Sequence, residues 1–185
     1  MPPISYDAFR SKISGRTDQY DASREALVNL LSKIKNKIPN DNASQQLLSQ
    51  IDAFESGLGY LTNRDDENIT YIQKRAKQAL QNMAGLHALL VSKDGNGKTV
   101  FEHMVDYVKE DEDCGTLKAR NIVNGHLKNV SDFLQLDLNL QDIRNGKAAP
   151  NGEPHTKAWY VQKFNTHKAS PNAEQQKAIP ILSAS

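Results

Sequence analysis

Residues 66–109 constrain the fold more than any other part of this sequence, because they carry two helix patterns separated by a glycine turn. Apolar residues recur every three or four positions from residue 69 to residue 90, which places them on one face of a helix. The glycine-rich turn at residues 94–97 interrupts this pattern. Thr99 and Glu102 then have the spacing of a capping box, which satisfies the free N–H groups of a new helix. The segment predicts helices at 68–91 and 99–109.

Further helix patterns lie on both sides of this segment. Ser5 caps the first and Gly15 stops it, whereas Pro39 ends the second. Residues 133–143 alternate apolar and polar side chains, so they form the one strand candidate. No partner strand is apparent, and a lone strand is rarely stable, so we expect a helix end followed by extended chain. The further helices are predicted at 6–13, 22–38 and 44–61, and a last one begins after a Thr116 cap and extends from 117 to 134.

The distribution of apolar and charged residues divides the chain into a body and an extension. Apolar positions cluster up to residue 143 and become sparse afterwards, and the mean hydropathy of the whole chain is −0.65. Residues 1–143 contain 17 basic and 20 acidic side chains, whereas residues 144–185 contain 6 basic and 2 acidic ones. We therefore predict an all-α, single-domain bundle of five to six helices at 5–143. A polar, partly flexible C-terminal extension follows at 144–185.

The extension contains one aromatic segment, residues 155–167. Its rings, Trp159, Tyr160 and Phe164, are the residues that we predict to bind a partner. A tryptophan is costly to leave in water, so the segment has two interpretations. It packs back onto the helical body, or it serves as a short linear element that a partner recognises. The first interpretation is the simpler one.

Three familiar catalytic or ligand-binding motifs are only partly present. Asp94 and Asn96 could begin a calcium-binding loop, but its twelfth position, which must supply a bidentate carboxylate, is Val105. A phosphate-binding loop would need glycine where Ser92 stands and a strand before it. The carboxylates at residues 110–113 disfavour a reactive thiolate at Cys114. None of these motifs predicts chemistry.

Histidines and a carboxylate provide the alternative to an interaction function. If three helices directed these side chains inward, a metal or ligand site would result. No two of them have the local spacing that fixes a pair of metal ligands, so hydrogen-bonded structural histidines are the simpler interpretation. The alternative is therefore a helical metal- or ligand-binding enzyme domain, and its residues are His87, His103, Asp106 and His126.

The sequence also bears on partners and compartment. Two basic clusters, at 33–37 and 74–77, have no interleaved aromatic residues, and the net charge is only +1, so we expect no nucleic-acid partner. No apolar run approaches the length of a membrane span. A single cysteine and no classical secretory signal favour the cytoplasm or another reducing compartment. Export by a non-classical C-terminal signal stays open.

These observations favour a non-enzymatic protein–protein interaction module without a cofactor. The composition of the extension resembles that of a small bacterial effector or accessory protein, acting on a protein partner. A self-assembling structural protein is a third alternative, because the oligomeric state is not encoded in any pattern found here.

Overall fold

The structure, a computed structural model, describes residues 3–13, 18–62 and 69–148 of the 185-residue chain. Over these residues the fold is all-α, as predicted, and the only β pairing is one isolated bridge between Lys93 and Thr99. Six of the described α-helices have eight residues or more. The helices are α1 (Tyr6–Ile13), α2 (Asp18–Ile34), α3 (Asn42–Tyr60), α4 (Ile69–Asn82), α5 (Leu86–Val91), α6 (Val100–Asp111), α7 (Thr116–Leu134) and α8 (Leu140–Arg144).

Polar or acidic side chains stand at the N-termini of the first three helices. Ser5 Oγ accepts a hydrogen bond from the N–H of Ala8, as the sequence predicts for α1. Helix α2 starts four residues earlier than predicted, with two acidic residues in its first turn, where they interact favourably with the helix dipole. Asp41 caps α3 by accepting a hydrogen bond from the N–H of Ser44 at 2.9 Å.

The long helix predicted at 68–91 is divided into α4, one 3₁₀ turn at Met83–Gly85, and α5. Every residue of α5 is buried, whereas α4 keeps one exposed side. A helix without a polar face is stable only where it is buried on all sides. Helix α5, directly after the 3₁₀ turn, lies entirely within the core.

The expected extended chain after α7 is present only in part. Gln135 has φ +58°, a left-handed conformation that ends α7. Residues 136–139 are non-helical, and the short helix α8 follows with Asn139 as its N-cap. The alternating pattern does not form a strand. Its apolar residues instead pack partly buried against the core, and Ile143 is fully buried.

Helix α2 occupies the centre of the bundle, because it packs against α3, α6 and α7. Helix α4 packs on α3 on the other side. Gly57 of α3 lies at this contact, since a Cβ atom there would lie 3.6 Å from Cβ of Ala79 in α4 and 3.0 Å from Cε of Met83 in the 3₁₀ turn. Among the described helices, none is both long and apolar enough to cross a membrane.

Candidate interaction surface

A buried carboxylate organises the turn between α5 and α6. The Asp94 side chain is 1% exposed. Its Oδ1 accepts hydrogen bonds from the N–H groups of Asn96 and Lys98, at 2.8 and 3.0 Å. Its Oδ2 accepts a hydrogen bond from Nε2 of His103 at 2.7 Å. Burial by itself would raise the pKa of Asp94, but these hydrogen bonds outweigh it and hold the pKa below its ordinary value.

The same turn is attached to α3 and to the start of α6. The N–H of Gly95 donates to Oγ of Ser44 at 3.1 Å. Thr99 and Glu102 form both hydrogen bonds of the predicted capping box, which is therefore confirmed. Because His103 and Asp94 belong to this network, their polar groups hold the turn in place.

His103 and Asp106 do share one surface cavity, as their spacing of three on one helix predicts. The cavity has a volume of about 620 Å³, and Cys114 also lines it. Lys98 forms an ion pair with Asp106, and Lys37 lies 3.8 Å from a carboxylate oxygen of Glu110. Acidic and basic groups thus face each other across this cavity.

The other two histidines have different partners. Nε2 of His87 donates to the carbonyl oxygen of Lys147 at 3.3 Å, and its buried Nδ1 has no hydrogen-bond partner among the described residues. Nδ1 of His126 lies 3.3 Å from Oγ of Ser23, between α7 and α2. Burial lowers the pKa of both histidines. In the described part of the chain, no three His, Cys, Asp or Glu side chains are grouped so as to hold a metal ion.

The exposed side of α4 is basic and carries one exposed aromatic ring. Helix α4 contains three cations and no carboxylate. Within the described ranges, no carboxylate lies within ion-pair distance of these cations. The exposed side chains lie away from the buried Ala76, Ala79 and Leu80. We name this set the α4 face, and it consists of Tyr71, Lys74, Arg75 and Lys77.

Aromatic rings lie beside two of these cations in the structure, although none is interleaved with them in the sequence. The Arg75 guanidinium lies 5.2 Å from the ring centroid of Tyr71, and the Lys77 ammonium lies 5.3 Å from that of Tyr6. Tyr60 contacts Tyr71 edge to face. The pKa of Tyr71 is lowered, first by a hydrogen bond with Tyr60 and then by the hydrogen bond and the positive charge of Arg75. The spacing of four between Tyr71 and Arg75 was a signal available in the sequence.

The residues predicted to bind a partner, Trp159, Tyr160 and Phe164, lie outside the described residues, as does the whole segment 155–167. Their role stays a prediction. Sequence analysis did not identify Asp94 as a hydrogen-bonding centre or Tyr71 as a surface residue.

The chain matches no protein-family model, and comparison with curated proteins and with solved structures gave no match either.

Proposed function

We propose that this protein is a non-enzymatic protein–protein interaction module that uses the α4 face to bind an acidic surface of a partner protein. The observation that carries the proposal is the combination of three cations, which have no carboxylate within ion-pair distance among the described residues, and an exposed tyrosine in contact with Arg75. Tyrosine and arginine are, with tryptophan, the residue types enriched at the energetic centres of protein interfaces.

The electrostatics of α4 support an acidic partner. Lys74 and Lys77 are three positions apart, so they are neighbours on the helix surface and repel each other. Such like-charge pairs each cost an isolated helix about 0.2–0.5 kcal/mol. Carboxylates of an acidic partner placed beside these lysines add attraction that offsets the repulsion, which favours the complex.

A protein partner fits this surface better than a nucleic acid does. Nucleic-acid affinity comes largely from many phosphate contacts, each made by a lysine or arginine. The α4 face supplies three cations, and the net charge of the chain is +1. The small number of cations therefore supports a protein partner over a nucleic acid. The context of a small bacterial effector or accessory protein, suggested by composition, belongs to this proposal.

The experiment compares two charge variants of the full-length chain in affinity capture from cells in which the protein acts. The test variant is Lys74→Gln, Arg75→Gln, Lys77→Gln. The control variant is Lys33→Gln, Lys118→Gln, Lys128→Gln, which removes the same charge from exposed positions on α2 and α7. We expect the test variant to lose a partner that the wild type and the control variant both retain.

Three checks make this result specific. Far-UV circular dichroism must show that both variants keep the helical content of the wild type. The captured protein must dissociate at high salt, because screening weakens contacts between exposed charges. Equal capture by the test and control variants, or loss of capture after nuclease treatment, would overturn the proposal.

The enzyme alternative has its own test. It requires His87, His103, Asp106 and His126 to act at one site, whereas the structure gives the three histidines different partners. Elemental analysis of purified full-length protein, beside the His103→Ala variant, decides the matter for metals. A stoichiometric metal that the variant loses would favour the enzyme alternative over the interaction module.

A further inference from the structure

A groove lies between α3 and the point at which the described chain ends. Four residues on one side of the first two turns of α3, Ala43, Gln46, Leu47 and Gln50, form one wall. Lys93 and Gly146 lie on the other side, and the volume is about 320 Å³. The walls combine the aliphatic carbons of Ala43 and Leu47 with two side-chain amides. Such a mixture suits an aromatic ring that carries a polar group.

Hydrogen bonds direct the chain to this groove after α8. Gly146 has φ +69°, and the N–H of the next residue, Lys147, donates to the carbonyl oxygen of Asp142 at 2.8 Å. The carbonyl oxygen of Lys147 accepts the hydrogen bond from His87. The chain is therefore held beside the groove up to residue 147, and the sequence has 37 further residues from 149 to 185.

The length of chain that follows brings the aromatic segment within reach. Trp159 is eleven positions after Ala148, so ten residues lie between them. An extended chain of that length spans at most about 40 Å, so the segment reaches any part of the groove. Because the tether is short, its effective concentration is in the millimolar range, and even weak contacts suffice to keep it bound.

We propose that residues 155–167 occupy this groove in cis, with Trp159 as the principal side chain in contact with it. The ring packs on Ala43 and Leu47, and the amides of Gln46 and Gln50 offer hydrogen-bond partners to the indole N–H. Removing a tryptophan from water supplies the free energy. The proposal is independent of the α4 face, because the groove is formed by other helices.

The test uses the fact that Trp159 is the only tryptophan of the chain. Its fluorescence emission and its quenching by acrylamide therefore report on this position alone. The groove variant of the full-length protein is Ala43→Lys, Gln46→Lys, which places two cations beside Lys93. The control variant is Ser49→Lys, Ala53→Lys, at exposed positions of α3 that do not line the groove. A synthetic peptide of residues 153–169 provides the emission of an exposed Trp159.

We expect the wild type and the control variant to emit at shorter wavelength than the peptide and to be quenched several-fold less. The groove variant should give the values of the peptide. Peptide-like emission of the wild type would overturn the proposal and leave the segment available to a partner. Protected emission that survives in the groove variant would also overturn it. Protection that appears only as concentration rises would assign the groove to the segment of a second copy.

A second measurement is independent of whether the lysine variant folds. The single native cysteine is first replaced by Cys114→Ser, and a bimane label is then attached at Gln46→Cys. The fluorescence of bimane is quenched when a tryptophan contacts it. We expect quenching that Trp159→Phe abolishes, and none with the label on Ala53→Cys. Equal emission with and without Trp159 would overturn the proposal. Either result leaves the capture experiment on the α4 face unaffected, so failure of one proposal is distinguishable from failure of the other.

Discussion

The α4 face and the turn between α5 and α6 belong to one continuous stretch of chain, but they use polar side chains in opposite ways. In the turn, Asp94 is buried and each of its oxygens accepts hydrogen bonds from within the protein. On α4, the cations and Tyr71 are exposed, and their contacts with each other are the weaker kind that a partner can replace.

This difference separates stability from recognition. A buried ionised group that loses its partners carries a large free-energy cost, so the turn tolerates little change. Exposed charges contribute little to folding and are free to contribute to binding. Substitutions in the two regions should therefore have effects of very different size, and the following predictions test that comparison.

The largest effect is expected for Asp94→Ala. It leaves His103 and two backbone N–H groups of the turn without their acceptor, so we expect a loss of about 3 kcal/mol in the free energy of unfolding. Denaturant unfolding measures this loss. The control is Asp106→Ala, which breaks an exposed ion pair and should cost about 0.5 kcal/mol or less. Similar losses for both variants would mean that the Asp94 network does not stabilise the turn.

The next effect tests how α4 is held on the bundle. Gly57→Leu places a large side chain where even a Cβ lies 3.0 Å from Met83. We expect a loss of about 2 kcal/mol from overpacking, measured by denaturant unfolding. At Gly59 an added Cβ meets nothing within 4 Å, so Gly59→Ala should stabilise α3 by about 0.5 kcal/mol. A neutral Gly57→Leu would show that α4 does not pack closely on α3.

Removing the cap of α6 should have a smaller effect. Thr99→Ala deletes the hydroxyl that accepts the N–H of Glu102, and we expect a loss of about 1 kcal/mol in thermal or denaturant unfolding. Thr116→Ala is the matched control, because Thr116 lies after the N-cap position of α7 and is exposed. That change should stay within about 0.5 kcal/mol. Equal losses would indicate that the capping box contributes nothing of its own.

A still smaller effect concerns pH. Burial lowers the pKa of His87 below its ordinary value of 6.5. At a pH between the lowered pKa and the ordinary pKa of His87, the unfolded chain binds more protons than the folded protein does. The contribution of His87 to the free energy of unfolding is therefore complete above pH 6.5 and decreases as the pH falls below that value. His87→Gln should therefore reduce the slope of unfolding free energy against pH in this interval. His126→Gln gives the comparison, since His126 shifts in the same direction. An unchanged slope in both variants would contradict the assignment.

The smallest effect is expected on α4. Replacing Lys74, Arg75 and Lys77 by glutamine should change the free energy of unfolding by about 0.5 kcal/mol or less, because all three are exposed. The same variant is the one expected to lose the partner. A loss as large as that of Asp94→Ala would make the α4 face a structural element, and the comparison between the two regions would fail.

Local signals made most of the helices predictable. Ser5, Asp41 and the capping box of Thr99 and Glu102 act within one helical turn, so their effect is visible in a short window of sequence. The break at Met83–Gly85 was not predictable in this way. The apolar pattern continues through it, and the burial of α5 on every side is a property of the tertiary packing that this pattern does not show.

The candidate surface was less predictable than the helices. The Tyr71–Arg75 contact follows from a spacing of four and was available as a signal. The pairing of Asp94 with His103 required the turn to fold back over the start of α6. Sequence analysis placed both residues in their elements but could not join them, because their contact depends on the path of the turn.

By itself the sequence determined the all-α class, the turn at residues 94–97 and the cap of α6, because periodicity and capping are properties of neighbouring residues. The tertiary structure alone decided which polar groups are buried and which cations are left exposed. Oγ of Ser44, for example, accepts a hydrogen bond from the N–H of Gly95, a residue 51 positions away. Hydrogen bonds and ion pairs across such separations are set by how helices pack, and no local pattern carries that information.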